Sequence, residues 1–447
     1  MKIRRLSAFM LAVLLLFASC SAPAAEDNPA DGTGAPSGVA AEPAAAETEA
    51  APEPEIADYD YSAIDRVLAE GTFDAFRSGT PLELGRVLLT GATGYLGIHL
   101  LHDLLQSGTA PVTCLVRGAT PDEARHRLQT LLYYYFSSAC NEHFDSGRLS
   151  VVAGDVTQEI PRLPADTVFN CAAVVKHFSK DGDIERVNVD GTRRCIDFCL
   201  ATGARLVHVS TVSIGGFLPP GTDPAAAVLD ERTLYLNQHL GNRYTLSKFL
   251  SERLVLEAVA TKGLSAKIMR VGNLAARSTD GEFQVNFRTN AFAGMMRAYG
   301  LLGCCPYGDF ANPVEFSPID EAARAIRLLA STPRECCLFH PYNNHAVFLG
   351  DVLEELASVG NPVRLVERDE FKQAFEQASS DPAKAERLQS LVAYADVAPG
   401  QAAVPVREAN DFTMQVLYRL GFRWSPTSWD YVDRFFRTIA GFGFFED

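Results

Sequence analysis

No run of apolar residues in this chain is long enough to cross a membrane as a helix. The N-terminal stretch Leu6 to Ala18 has 13 residues, against the ~18–20 that a span requires. Basic residues are in deficit, with 40 Lys and Arg against 55 Asp and Glu. A chain of net charge −15 lacks the basic face that a phosphate backbone demands, which excludes nucleic acid as a partner. None of the ten cysteines stands in a Cys-x-x-Cys pair. Cys195 and Cys199 are four apart, and Cys304-Cys305 and Cys336-Cys337 are adjacent. These spacings exclude the usual zinc and disulfide frameworks, and no metal site is expected. Cys114 and Cys171 lie in apolar runs and read as small buried hydrophobes. Internal repeats are also lacking. With 47% hydrophobic and 21% charged residues, global disorder is excluded, and the length suits two to three domains.

The front of the chain stands apart. Lys2, Arg4 and Arg5 precede the apolar stretch, which ends in Phe17-Ala18-Ser19-Cys20. Small residues before a cysteine resemble a bacterial lipoprotein signal, with Cys20 as the lipidated residue of the mature N-terminus. Residues 21–60 follow with ten acids and no base among Ala, Pro, Glu and Gly. Such a segment buries too little apolar surface to order itself and is expected to be a solvated tether. The signal carries +3 and the tether −10, so residues 61–447 carry −8 and are only mildly acidic.

From residue 84 onward, short apolar runs alternate with amphipathic stretches. Strands are expected over 86–89, 112–116, 149–152, 167–171, 205–210 and 265–271, and helices over 97–106, 122–136, 188–202 and 244–261. Apolar strands between helices indicate a parallel sheet covered on both faces, the doubly wound Rossmann-type α/β architecture. Beyond about 280 the pattern loosens, with helices near 321–331, 350–358 and 368–395. The expected organisation is a signal segment (1–20), a tether (21–60), a dinucleotide-binding domain (61–280) and a smaller, mostly helical substrate lobe (281–447), some of whose strands return to the sheet.

The glycine turn Thr90-Gly91-Ala92-Thr93-Gly94-Tyr95-Leu96-Gly97 follows the first strand and opens a helix. In that context Gly91 permits the tight turn, Gly94 lets backbone approach a pyrophosphate, and Gly97 lets helix and strand pack closely. The amides at the helix start then face the phosphates. After the second strand, where an acid would bind a ribose diol, the chain has Arg117, which suits the 2′-phosphate of NADP; Arg127 is a second candidate for it. Gly154-Asp155-Val156 places Asp155 and Val156 near the adenine, and Asn170-Cys171-Ala172-Ala173 ends the fourth strand with small residues where a cofactor crosses the sheet edge. Asn188 either joins an active-site network or caps its helix.

The chemistry is carried by Ser210-Thr211-Val212-Ser213 and by Tyr244-Thr245-Leu246-Ser247-Lys248. Tyr244 and Lys248 are four apart and share one helix face. The Lys248 ammonium is expected to lower the Tyr244 pKa and to hold the nicotinamide ribose. Tyr244 then donates a proton to an oxygen that gains charge during hydride transfer. Thr211 hydrogen-bonds the same oxygen.

In this order the motifs resemble the extended short-chain dehydrogenase/reductase superfamily over roughly residues 84–330. Further stretches are similar to the thioester reductase family: Ala124 with Arg127-Leu128, Leu131 to Phe136, Arg148 to Val156, Val174 to Phe178, Arg270-Val271-Gly272-Asn273, and Phe316-Ser317-Pro318-Ile319-Asp320. Asp58-Tyr59-Asp60-Tyr61-Ser62 looks like the segment that joins a carrier domain to such a reductase. The aromatic cluster at 133–136 is expected to be core packing, and His177 a loop residue near the cofactor. Domains of this family terminate nonribosomal peptide and polyketide assembly lines and occur in carboxylic acid reductases. The resemblance implies NADPH as cofactor, Asn273 as a further cofactor contact, and hydride transfer to a thioester on a phosphopantetheine arm. The product is an aldehyde, or after a second hydride an alcohol.

The chain departs from that family in having no adenylation region and no carrier serine motif, so the thioester is expected from a carrier protein or coenzyme A in trans. Its lipoprotein-type signal also conflicts with cytoplasmic NADPH chemistry, leaving membrane-anchored and cytoplasmic locations as alternatives. The same core motifs serve nucleotide-sugar epimerases or dehydratases and ketone reductases. A surface lipoprotein using the fold as a non-catalytic binding module is the third reading.

Overall fold

The computed structural model describes residues 56–137, 140–175, 182–219, 221–223, 225, 227–392 and 404–445. The signal segment, Cys20, most of the tether and Lys176-His177-Phe178 lie outside the described residues. Contacts divide the chain into Met1–Asp60 and Tyr61–Asp447, and the fold is that of the second unit.

Its centre is a parallel sheet of seven strands: β1 (Val87–Thr90), β2 (Val112–Val116), β3 (Leu149–Ala153), β4 (Thr167–Asn170), β5 (Arg205–Thr211), β6 (Ala266–Val271) and β7 (Leu338–Phe339). The spatial order is β7-β6-β5-β4-β1-β2-β3. Every residue of β1, β4 and β6 is buried, because helices cover both faces, which favours largely apolar strands; the polar exceptions, such as Asn170 and Arg270, are hydrogen-bonded. Strand order reverses between β1 and β4, so their carboxyl ends open the crevice where such sheets bind ligands. The expected doubly wound architecture is therefore present.

Six helices matter for the site: α1 (Tyr95–Ser107), α2 (Pro121–Phe136), α3 (Gly191–Thr202), α4 (Arg243–Lys262), α5 (Ile319–Ala330) and α6 (Asp411–Arg419). The helix expected over 188–202 is a π-helical turn at Glu185–Asp190 that runs into α3. A π turn takes one more residue than an α turn and shifts the apolar phase, but over six residues at a helix start the shift is too short to read from the pattern. The helix expected over 368–395 is two helices, Arg368–Ser379 and Pro382–Val392; Pro382 lacks the amide needed to continue the first. The helices Ala291–Leu302, α6 and Trp429–Gly441 were not expected. The last buries Tyr431, Val432, Phe435, Phe436 and Ile439 along one face.

The residues after 280 build a core of aromatic rings. Phe283 meets Phe435 at 5.1 Å, Phe292 meets Phe316 at 4.9 Å, and Phe316 meets Phe435 at 5.8 Å. They also complete the sheet: β7 pairs with β6 and α5 packs on α1. The 133–136 cluster does pack, as expected, but unevenly. Tyr135 is buried and its hydroxyl accepts from the Val285 amide at 3.0 Å, Tyr134 donates to Glu282 at 2.9 Å, and Tyr133 is exposed.

Candidate active site

The glycine turn lies over the end of β4. Gly91 has φ +72°, and a Cβ there would come within 2.5 Å of the Ala172 nitrogen and the Cys171 carbonyl carbon. A side chain on Gly97 would strike the Gly91 carbonyl oxygen. Gly94 is exposed and caps α1 with extended backbone, its amide donating to the Gly91 carbonyl at 2.9 Å. The first amides of α1 have no acceptor within the helix and sit at the positive end of its dipole. A cradle that any Cβ would fill, at the switch point of the sheet, fits a dinucleotide pyrophosphate.

Other expected contacts fall into two groups. Arg117 is exposed at the end of β2, with its Nε 4.0 Å from the Asp155 carboxylate. Asp155 also accepts from the Thr157 amide at 2.8 Å. Both line the crevice on the side of β2 and β3, while Arg127 sits half-buried on α2 and Thr93 half-buried in the glycine turn. The second group faces inward. Thr90 donates to the Asn170 carbonyl oxygen at 2.8 Å, and the Asn170 amide nitrogen is 3.3 Å from both Thr192 Oγ1 and His208 Nδ1. The Asn170 side chain thus braces the strand ends. The Tyr95 hydroxyl lies 3.0 Å from the Ala275 carbonyl and 3.3 Å from that of Glu282, so only its backbone faces the phosphate cradle. Leu96 and Val156 are buried packing residues. Ala172 and Ala173 are half-buried where the β4 chain leaves the sheet.

The residues expected to carry the chemistry come from two elements. Asn242 caps α4 by accepting from the Thr245 amide at 2.9 Å, which places Tyr244 and Lys248 in its first turns. The Tyr244 side chain lies beside that of Thr211, the last residue of β5, whose hydroxyl donates to Ser213 Oγ at 3.1 Å. Burial pushes the phenol up to about 12, and the Thr211 contact only partly offsets this. Lys248 is buried, and burial brings its ammonium down to about 8. Its Nζ donates to the Val209 carbonyl at 2.8 Å. The expected lowering of the Tyr244 pKa by Lys248 is not seen in this arrangement: desolvation dominates the phenol, and the ammonium is held by a backbone carbonyl. Cys171 is nearby, its thiol pushed up to about 12 by burial, and is no nucleophile at neutral pH.

Asn188 is a network residue and not a cap. Its carbonyl oxygen accepts from the Val174 amide at 2.8 Å, and its nitrogen donates to the Val174 carbonyl at 3.0 Å and to Ser247 Oγ at 2.9 Å. Ser247 donates in turn to the Tyr244 carbonyl at 2.7 Å. The exit of β4 is thereby tied to the turn of α4 that bears Tyr244 and Lys248. On the far side, the Asn273 amide donates to Glu315 at 2.6 Å. Burial raises the Glu315 carboxyl to about 7 despite hydrogen bonds from Ser317, Asn273 and Asn343. Sequence reasoning missed Ser247 and Glu315. Ser247 lay inside the Tyr-Lys motif, and Glu315 immediately before Phe316-Ser317-Pro318-Ile319-Asp320.

The NAD-binding family model described as "Male sterility protein" matches residues 89–326. A linear gramicidin synthase of Brevibacillus parabrevis is 29% identical over 331 residues, covering 70% of this chain and 6% of that protein. An isonitrile lipopeptide synthase of Streptomyces coeruleorubidus is 31% identical over 309 residues, covering 64% and 19%. The chain therefore spans a small part of the length of these relatives. A thiolation-reductase di-domain from an archaeal non-ribosomal peptide synthetase is 35% identical, with TM-score 0.76, covering 87% of this chain and 82% of that one.

Proposed function

The chain belongs to the nicotinamide-dinucleotide-binding reductase family that includes the terminal reductase domains of nonribosomal peptide synthetases, and on that premise we propose that it reduces an acyl or peptidyl thioester to an aldehyde with NADPH. The observation that carries this reading is the gathering of Tyr244 and Thr211 with a buried Lys248, whose Nζ donates to the Val209 carbonyl of β5, on the same sheet whose first strand leads into the glycine turn. Two hydroxyls converge there on the place where a carbonyl oxygen gains charge.

The cofactor, when bound, supplies a hydride to the thioester carbon. Gly91, Gly94, Gly97 and the amides of α1 would hold its pyrophosphate, and Arg117 its 2′-phosphate, which favours NADPH over NADH. Thr211 and Tyr244 donate hydrogen bonds to the carbonyl oxygen and stabilise its developing charge. Tyr244 is a neutral phenol at physiological pH, so it holds a proton for the more basic alkoxide and forms a hemithioacetal. On collapse the C–S bond breaks and the carbonyl forms. The phenolate of Tyr244 takes back the hydroxyl proton, and sulfur leaves as a thiolate, a good leaving group for a thiol of pKa about 8.5. Lys248, one helical turn from Tyr244, would hold the nicotinamide ribose. The thioester arrives on a phosphopantetheinyl carrier protein or on coenzyme A.

The test is turnover of the full chain with NADPH or NADH and a panel of acyl-pantetheine and acyl-CoA thioesters, with products identified by mass spectrometry. NADPH-dependent aldehyde or alcohol that disappears in Tyr244→Phe supports the proposal. Cofactor binding without thioester turnover overturns it. The proposal also retains lipidation at Cys20 as the anchor of the tether. Lipid labelling lost in Cys20→Ser, with protease shaving to find the exposed side, tests the anchor and the side of the membrane.

A further inference from the structure

Behind the catalytic turn lies a polar cluster that the reaction does not touch. Glu252 stands one turn beyond Lys248 on α4 and is fully buried, as is Arg270 on β6. Arg270 Nε lies 3.1 and 3.0 Å from the two Glu252 oxygens, and one terminal nitrogen donates to Oε2 at 2.8 Å. The other terminal nitrogen reaches out of the pair. It donates to the Thr233 carbonyl at 2.9 Å, approaches that of Asp230 at 3.4 Å, and lies 3.0 Å from His340 Nε2.

The remaining contacts close a ring. His340 Nδ1 is 2.6 Å from the Ala409 carbonyl. A carbonyl only accepts, so Nδ1 carries the hydrogen and Nε2 accepts from Arg270. Burial and the Arg270 charge hold this ring neutral. The His340 amide donates to Thr413 Oγ1 at 2.8 Å, and the Thr413 amide donates to Glu231 at 2.7 Å. Glu231 lies in the loop whose carbonyls Arg270 holds.

The segments joined in this way pack on the turn that follows Thr211: the Val406 amide donates to the Gly216 carbonyl at 3.1 Å, and Val406 and Leu229 both lie against Gly215. Residues 228–233 belong to the stretch between Thr211 and Tyr244. Val404–Pro405 pairs with Phe217–Leu218, and Arg407–Glu408 pairs with Val228–Leu229. The C-terminal segment and the loop thus form one wall, and Arg270 bonds that wall to the helix bearing Tyr244 and Lys248. A buried ion pair is a weak source of stability, since apolar replacements often serve as well. What a planar guanidinium adds is direction, with donors aimed at several acceptors at once, which an ammonium cannot reproduce.

Resting on the thioester-reductase reading, we propose that Arg270 is a positioning residue that sets this wall against the catalytic helix and so places the acyl chain of the substrate. Displacing the wall should matter more to an acyl group long enough to lie on it than to a two-carbon one.

The experiment compares the full chain with Arg270→Lys and with the double variant Glu252→Leu/Arg270→Met. The substrates are acetyl-pantetheine and a long-chain acyl-pantetheine. Circular dichroism and NADPH binding verify that each variant is folded and loaded. The expected result is a loss of about tenfold to a hundredfold in kcat/KM for the long-chain thioester, with the acetyl substrate little changed. Folded variants with wild-type constants for both thioesters, or with equal losses for both, overturn the proposal. If neither variant folds, Thr413→Val, which removes one hydroxyl from the ring, carries the same comparison in the same direction. A wild-type chain that turns over neither thioester sinks the reductase reading instead.

Discussion

The two sides of the crevice are built by different means. The cofactor side comes from a short stretch of chain: residues 90–97 supply the cradle, and Arg117 and Asp155 stand at the ends of the next two strands. Its shape is dictated by missing side chains, since a Cβ at Gly91 would meet the backbone of β4. The reaction side gathers Thr211, Asn188, Ser247, Tyr244 and Lys248 from separate elements and then shifts their chemistry by burial. One side is a backbone surface that a ligand's charge fits. The other is a set of side chains whose acidities exist only after folding. Changes on the first side should therefore move cofactor affinity, and changes on the second should move kcat.

The largest effect expected from breaking this division is Tyr244→Phe. It removes the proton and one oxyanion donor but no cofactor contact of the cradle, so kcat should fall by about 10²–10⁴ while NADPH affinity, read by fluorescence titration, stays near wild type. A parallel loss of NADPH binding would merge the two sides. A smaller effect is expected from Arg117→Ala. The Kd for NADPH should rise about tenfold, or about 1.4 kcal/mol, with NADH binding and kcat at saturating cofactor unchanged. Equal weakening of both dinucleotides would remove Arg117 from the 2′-phosphate.

The subtlest test uses pH and has two opposite signs. Lys248 sits near 8 when folded, below its ordinary 10.5. As pH rises through about 8 the ammonium is lost, so kcat should decline on the alkaline side. Between about 8 and 10.5 the unfolded chain binds the extra proton, so the contribution of this lysine to stability should rise with pH over the same window. Urea midpoints of wild type and Lys248→Met across that range check it. The gap between the two should narrow with rising pH in favour of wild type, and a gap that stays constant would mean Lys248 is not titrating there.

Much of the sheet was legible because parallel strands buried on both faces need largely apolar runs, as in Val87-Leu88-Leu89 of β1 and Cys114-Leu115-Val116 of β2; the buried charges of β6, Lys267 and Arg270, interrupt its run. The glycine turn was legible because its residues are local to one another. The π-helical turn at Glu185–Asp190 and the break at Pro382 were not foreseen. The first is one short irregular turn at a helix start, and the second turns on a single missing amide. Tyr95 and Asn170 fell within the motif yet direct their side chains away from the cofactor cradle, since a motif states spacing and not rotamer. Glu252 and Arg270 each looked like an ordinary charge until folding buried them against each other.

By itself the sequence determined the six strands and four helices expected between residues 86 and 271, the glycine cradle after β1 and the shared helix face of Tyr244 and Lys248, because each depends on residues a few positions apart. Only the tertiary structure decided that Thr211 comes beside Tyr244, that burial brings Lys248 down to about 8 and the phenol up to about 12, and that Arg270 joins three distant segments. Those outcomes depend on desolvation and on hydrogen-bond partners that the chain brings together only when it closes, and no local pattern of residues encodes them.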